Sequence, residues 1–152
     1  MKIALGADNA GRQLKDEIKK HLEEKGYEIA DFGLCSDDPA ADYPDYAVPA
    51  SEAVASGECA FGILVCGTGI GMSICANKVK GIRCANVHDC FSAEATRQHN
   101  DANMLALGAR VTGVGLALKI TDIFLGTEYS GAERHTRRIN KITATEEKYS
   151  GK

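Results

Sequence analysis

Residues 65–73 read VCGTGIGMS, in which Gly67, Gly69 and Gly71 alternate with Thr68 and Ile70 and Cys66 stands directly in front. A dinucleotide-binding turn would use such glycines to approach a pyrophosphate, with Asp89 further along to hold a ribose. Here the spacing is GxGxG rather than GxGxxG, and it follows the third apolar run rather than the first. A phosphate-binding P-loop is worse served, because no GK[ST] follows. The string also suits a tight strand-to-helix turn with a buried, inert cysteine. It equally suits an oxyanion nest, in which successive backbone N–H groups and a helix N-terminus point at one spot and stabilise a thiolate beside it. A base next to an anion-holding pocket is the equipment for removing a proton beside a carbonyl, where negative charge moves onto an enediolate oxygen.

The elements that must position these groups are legible in the apolar pattern. KIALGA (2–7) reads as a buried strand, and Leu14, Ile18 and Leu22 fall on one face of a charged helix that Gly26 stops. YEIADFG (27–33) is a second strand, 34–45 a loop rich in Asp, Pro and Ala, and YAVPASEAVASGE (46–58) a helix with Pro49 in its first turn. FGILVCG (61–67) is a continuous apolar strand, followed by a helix over 70–78 and a strand IRCANVHD (82–89). A helix at SAEATRQHN (92–100), a strand at MLALGA (104–109), a helix at 113–126 and a last basic helix from about 133 complete the chain. Strands alternating with helices predict one α/β domain over 1–152, a five-stranded parallel sheet between helices. Ligands of such sheets sit beyond the carboxyl ends of the strands. That gathers ADNAG, CGTGIG, HDCFS and GARVTG at one edge.

Composition narrows the partners. The 152 residues carry a net charge of −3, which gives no general attraction to nucleic acid or anionic membrane. No apolar run approaches the ~20 residues of a membrane span, and no signal peptide is evident. The six cysteines form no CxxC pair and lie mostly in or beside apolar runs, which predicts reduced thiols in a cytoplasmic protein rather than disulfides or a zinc site.

CGTGIGMSICANKVKGIR, RQHNDANMLALGARV and the leading KIALGADNAG strongly resemble ribose-5-phosphate isomerase B and its sugar-phosphate isomerase relatives, over essentially the whole chain. The resemblance implies a Rossmann-like three-layer α/β/α sandwich that carries no nucleotide. It also implies a homodimer or homotetramer with active sites at the subunit interface, and a place in carbohydrate metabolism, the pentose phosphate pathway. It makes Cys66 the base that moves a proton between C1 and C2, since Met72 stands where another branch of the family has a glutamate. Thr68 assists transfer between the sugar oxygens, Gly67, Gly69 and Gly71 hold the enediolate, and His99 opens the sugar ring. Asp8 and Tyr43 bind hydroxyls and Asn100 contacts the sugar. Arg110, Arg134 and Arg138 take the phosphate, a role that suits fixed guanidinium forks. No metal or organic cofactor is implied.

Each residue also has a plainer use. His99 can be a helix-end histidine, Arg134, Arg137 and Arg138 a solvated face, Tyr43 a loop anchor before Pro44, and Asp8 the cap of the first helix. His21, His88 and His135 receive no role, although His135 stands among the arginines. One position departs from the family pattern: Asn9 follows Asp8 where a histidine is usual. Asparagine hydrogen-bonds but does not titrate. The chemistry is therefore expected to survive and the preferred sugar to be open: ribose 5-phosphate, allose or galactose 6-phosphate, or a tetrose 4-phosphate. A sugar-phosphate-binding protein without turnover is the alternative.

Overall fold

The computed structural model describes residues 1–35 and 41–150. Five parallel strands form one sheet in the order β2-β1-β3-β5-β4: β1 (Lys2–Ala7), β2 (Glu28–Asp31), β3 (Phe61–Cys66), β4 (Cys84–Asn86) and β5 (Met104–Gly108). Side chains alternate across the sheet as strand geometry requires. Ile3, Leu5 and Ala7 of β1 enter one apolar core and Ala4 the other.

The first core is closed by α1 (Arg12–Glu24), α4 (Cys90–Asn100) and α5 (Val114–Gly126), through residues such as Ile18, Ala93, Ile120 and Phe124. Leu14, Ile18 and Leu22 are the apolar face of α1 and are all buried. Gly26 follows this helix at φ 84°, the left-handed position that ends a helix most cheaply. The second core lies under α2 (Pro44–Ala55) and α3 (Ile70–Ala76), which contribute Ala47, Ala50, Met72 and Ala76. Helices on both faces of a parallel sheet make the three-layer α/β/α sandwich expected from the alternation. The last helix, α6 (Glu133–Tyr149), stands outside these layers, and His135 is its one buried residue.

Several sequence expectations need correction. The second helix begins at Pro44, not beyond it, because a proline at the first helical position forfeits no bond. Pro49 consequently lies inside the helix rather than in its first turn. The fourth strand keeps only Cys84–Asn86 of the predicted 82–89, since the Arg83 N–H is taken by the Asn103 side chain at 2.8 Å. The Asn77 amide binds both the N–H and the carbonyl of Cys84, each within 2.9 Å. Asp8 does not cap α1: its Oδ1 accepts from the Gly11 N–H at 3.0 Å in the turn before it, and Gly11 is the cap residue. Of the predicted loop at 34–45, residues 36–40 lie outside the described residues.

Candidate active site

Strand order reverses between β1 and β3, so their carboxyl ends open a crevice. Asp8 and Asn9 leave β1 there, half-buried and exposed respectively. Cys66 ends β3 and is 5% exposed. Its Sγ accepts a hydrogen bond from the Gly69 N–H at 3.1 Å. Gly69 caps α3 at φ 78°, a left-handed conformation that turns this N–H back toward the sulfur and would strain any other residue. The sulfur thus faces a backbone donor at the start of the following helix. Thr68 lies exposed on the loop, and its Oγ1 accepts from the Ile70 N–H at 3.3 Å.

Neighbouring elements press on every side of this loop. The Arg110 guanidinium lies over Gly67, 3.4 Å from where a Cβ would stand, while its backbone N–H donates to the Gly67 carbonyl at 3.0 Å. The Tyr43 ring covers Gly71, with Cζ 2.8 Å from the corresponding position. From β5, Gly108 meets the Thr68 main chain directly, its Cβ position only 2.8 Å from Thr68 backbone atoms. Asn86 at the end of β4 brings its buried Oδ1 against Gly69, and among the described residues that oxygen has no hydrogen-bond donor. Asn86 received no role from the sequence, although a carboxamide within the apolar run CANV was the signal for it.

The carboxyl edge thus gathers Asp8, Asn9, Tyr43, Cys66, Gly67, Thr68, Gly69, Gly71 and Arg110. It does not gather the rest. His99 and Asn100 close α4, which runs back to the opposite edge, just ahead of the first residue of β5. Cys66 pairs with Gly108, the last residue of that strand. Five residues at about 3.3 Å each therefore separate the two levels by roughly 15 Å within one chain. Arg134 and Arg138 belong to the His99 side: the His135 ring between them stands over His99, centroids 4.5 Å apart, and Arg134 Nε donates to His135 Nε2 at 3.1 Å. Both arginines are exposed.

The competing uses of the sequence motifs resolve differently. Asp89 caps α4, accepting from the Ser92 N–H at 2.7 Å, the bond that holds its carboxyl below the usual range. Arg137 pairs with Glu133 at 3.5 Å on the solvated face of α6. His88 contacts Thr112 and His21 contacts Asp122. All six cysteines are free. Burial pushes the Cys84 thiol up to about 12. No group of three or more His, Cys, Asp or Glu among the described residues is arranged to hold a metal ion, and no helix there is long and apolar enough to cross a membrane.

Comparison with known proteins gives this geometry its family. Residues 3–142 match the model of the ribose/galactose isomerases. Ribose-5-phosphate isomerase B of Escherichia coli is 50% identical over 147 residues, 97% of each chain. D-erythrulose-4-phosphate isomerase of Pectobacterium atrosepticum is 46% identical over 134 residues, 86% of each chain. The solved structure of Clostridium thermocellum ribose-5-phosphate isomerase B superposes with a TM-score of 0.95 at 50% identity, covering 98% of this chain and 99% of that one. The chain belongs to the ribose/galactose isomerase family.

Proposed function

We propose that the protein is an aldose–ketose isomerase that converts ribose 5-phosphate to ribulose 5-phosphate through an enediolate. The observation that carries this reading is the Cys66 sulfur, held by the Gly69 N–H inside a glycine nest where the strand order reverses. Cys66 takes the proton from C2 of the open-chain aldose, and the negative charge forms on O1, facing the loop N–H groups of Gly67–Gly71. Thr68 passes the O2 proton to O1, and Cys66 returns its proton to C1, which leaves the ketone at C2. Asp8 and Tyr43 orient the hydroxyls at the mouth of the crevice. The steps are proton transfers within one molecule and need no external oxidant or reductant.

The remaining groups come from a second copy of the chain. Separation of His99, Asn100, Arg134 and Arg138 from Cys66 supports a homodimer, or a tetramer of such dimers, in which one copy supplies each half. Both halves are bordered by exposed apolar residues: Ile70 and Ile74 on α3 beside the glycine loop, and Ile142 on α6, all more than half exposed. In such an assembly His99 acts on the ring oxygen, and Arg134 and Arg138 join Arg110 around the phosphate. Six free thiols suit a reducing compartment such as the cytoplasm.

Asn9 favours a second reading, in which the same chemistry serves a shorter or longer sugar. It lies exposed at the carboxyl end of β1, on the rim of the crevice. The test is proton exchange at C1 and C2 in deuterated water with ribose 5-phosphate, erythrose 4-phosphate, allose 6-phosphate and galactose 6-phosphate. Exchange with one of them, lost in Cys66→Ala, is the expected result. Binding without exchange of any would identify a sugar-phosphate-binding protein, and full turnover by Cys66→Ala would refute the base.

A further inference from the structure

His135 is buried to 4% exposure on a helix that is otherwise almost wholly on the surface. Both of its ring nitrogens are engaged. Arg134 Nε, which can only donate, reaches His135 Nε2 at 3.1 Å, so Nε2 must offer a lone pair. The ring proton is then on Nδ1, which donates to Ser130 Oγ at 3.0 Å. Ser130 is in turn fixed to α4, its backbone N–H donating to the Gln98 carbonyl at 3.2 Å, one residue before His99. The face of the His135 ring stands over the His99 ring, tilted by 52°. Three side chains and one carbonyl thus form a continuous chain from α4, through Ser130 and His135, to the guanidinium of Arg134, with the His99 ring beside it.

Resting on the functional reading above, we infer that His135 is a positioning residue, whose neutral ring with its proton on Nδ1 aims the Arg134 fork and the His99 imidazole as one unit. It has no nitrogen left for the phosphate, and its work is done through its neighbours. An arginine on a solvated helix samples many rotamers, and an acceptor on its Nε leaves the two outer nitrogens presented together for bidentate contact. Stacking likewise limits His99, an exposed residue at a helix end, to a narrow set of ring orientations. The device needs the ring uncharged. Burial holds the His135 pKa below the ordinary imidazole value, and the neighbouring His99, Arg134 and Arg138 push the same way. The groups facing it are those two arginines on its own helix, and His99 and the opposing Gln98 carbonyl on α4.

Two measurements on the full-length protein test the inference. Nitrogen-15 spectra of histidine-labelled protein at neutral pH should show, among four histidines, one ring with protonated Nδ1 and bare Nε2, absent from His135→Gln. Finding only Nε2-protonated rings would overturn the assignment. Steady-state kinetics then compare His135→Leu, which keeps bulk but loses the acceptor, with His135→Gln, which returns an acceptor near the Nε2 position. His135→Leu should raise KM for the sugar phosphate about 10-fold with a smaller fall in kcat, and His135→Gln should recover most of it. Equal impairment of both variants, or an unchanged KM in His135→Leu, would show a merely structural residue. Should His135→Leu fail to fold, Ser130→Ala, an exposed position, should raise KM about 3-fold, and no change there would overturn the inference. Absence of turnover in the wild-type protein would refute the functional reading instead, while the tautomer would still decide the geometry.

Discussion

Cys66→Ala and His99→Asn should each abolish turnover, and mixing the two inactive proteins should restore it. The prediction follows from the roughly 15 Å of β5 between the two half-sites of one chain. If each working site takes Cys66 from one copy and His99 from another, a mixed dimer has one site carrying both substitutions and one carrying neither. Random pairing of equal amounts puts about half of the dimers in the mixed form, and each regains one of its two sites, so recovered activity should approach a quarter of wild type. The assay is unfolding and refolding the pair together, or expressing both chains in one cell, then measuring isomerisation per total protein. The same proteins mixed without subunit exchange serve as the blank. Recovery no greater than the sum of the two parents, with mixed dimers verified by mass, would refute the split site and require all residues to act within one chain.

Other perturbations separate the parts of the site and its frame. Gly71→Ala places a Cβ 2.8 Å from the Tyr43 ring and should raise KM severalfold by displacing it, whereas in a Tyr43→Ala background the same change should be nearly silent, a coupling that a double-mutant cycle measures. Asn9→His should shift kcat/KM toward ribose 5-phosphate relative to the tetrose and hexose phosphates; an unchanged ranking across the four sugars would remove Asn9 from specificity. Asp31→Asn strips the main carboxylate from Lys15 Nζ, 2% exposed and bonded to Asp31 at 2.9 Å. Since the exposed Asp16 still reaches that amine at 3.0 Å, the loss should be about 2 kcal/mol, a fall in Tm of roughly 5 °C. Burial pushes the Asp31 carboxyl up, but Lys15, the Gly33 N–H and Lys19 outweigh it and hold its pKa below the usual value. Its contribution is present above the unfolded carboxylate pKa and lost as pH falls through the folded one, so in acid melts the gap between wild type and variant should hold down to about pH 4 and close only below it, as the folded carboxyl takes its proton.

What the sequence disclosed depended on how local the cause was. The strand at 2–7 and the buried stripe of α1 follow from the apolar pattern alone and the structure reproduces them, and the strand read at 61–67 is observed at 61–66. The start of α2 turned on Pro44 rather than Pro49, a choice between two prolines that composition does not rank. The length of β4 was set from outside, by the side chains of Asn77 and Asn103. At the site, the glycine loop announced itself by residue type. Its sulfur contact required the φ of Gly69, and the cover over Gly71 required a tyrosine 28 positions away. The separation of His99 from Cys66 was implicit in the alternation of strands and helices, because a helix returning from one sheet edge must end at the other. The bond pattern around His135 was beyond reach, since it joins the end of α4 to a loop and a helix some thirty residues later.

The contact between Gly108 and the Thr68 main chain bears on how such an enzyme changes its substrate. The height of the reacting loop is set by backbone resting on backbone, with no rotamer that a substitution elsewhere could adjust. Tyr43, by contrast, meets the loop with its ring alone, over Gly71, and Asn9 lies exposed beyond the end of β1. Variation at these two positions can therefore change the surroundings of the loop while the Cys66 sulfur stays where it is, which on the proposed function lets one reaction serve sugars of different chain length. The converse limits redesign: any side chain at 108 lifts the loop and moves the sulfur with it, so new specificity must be built around this contact rather than through it.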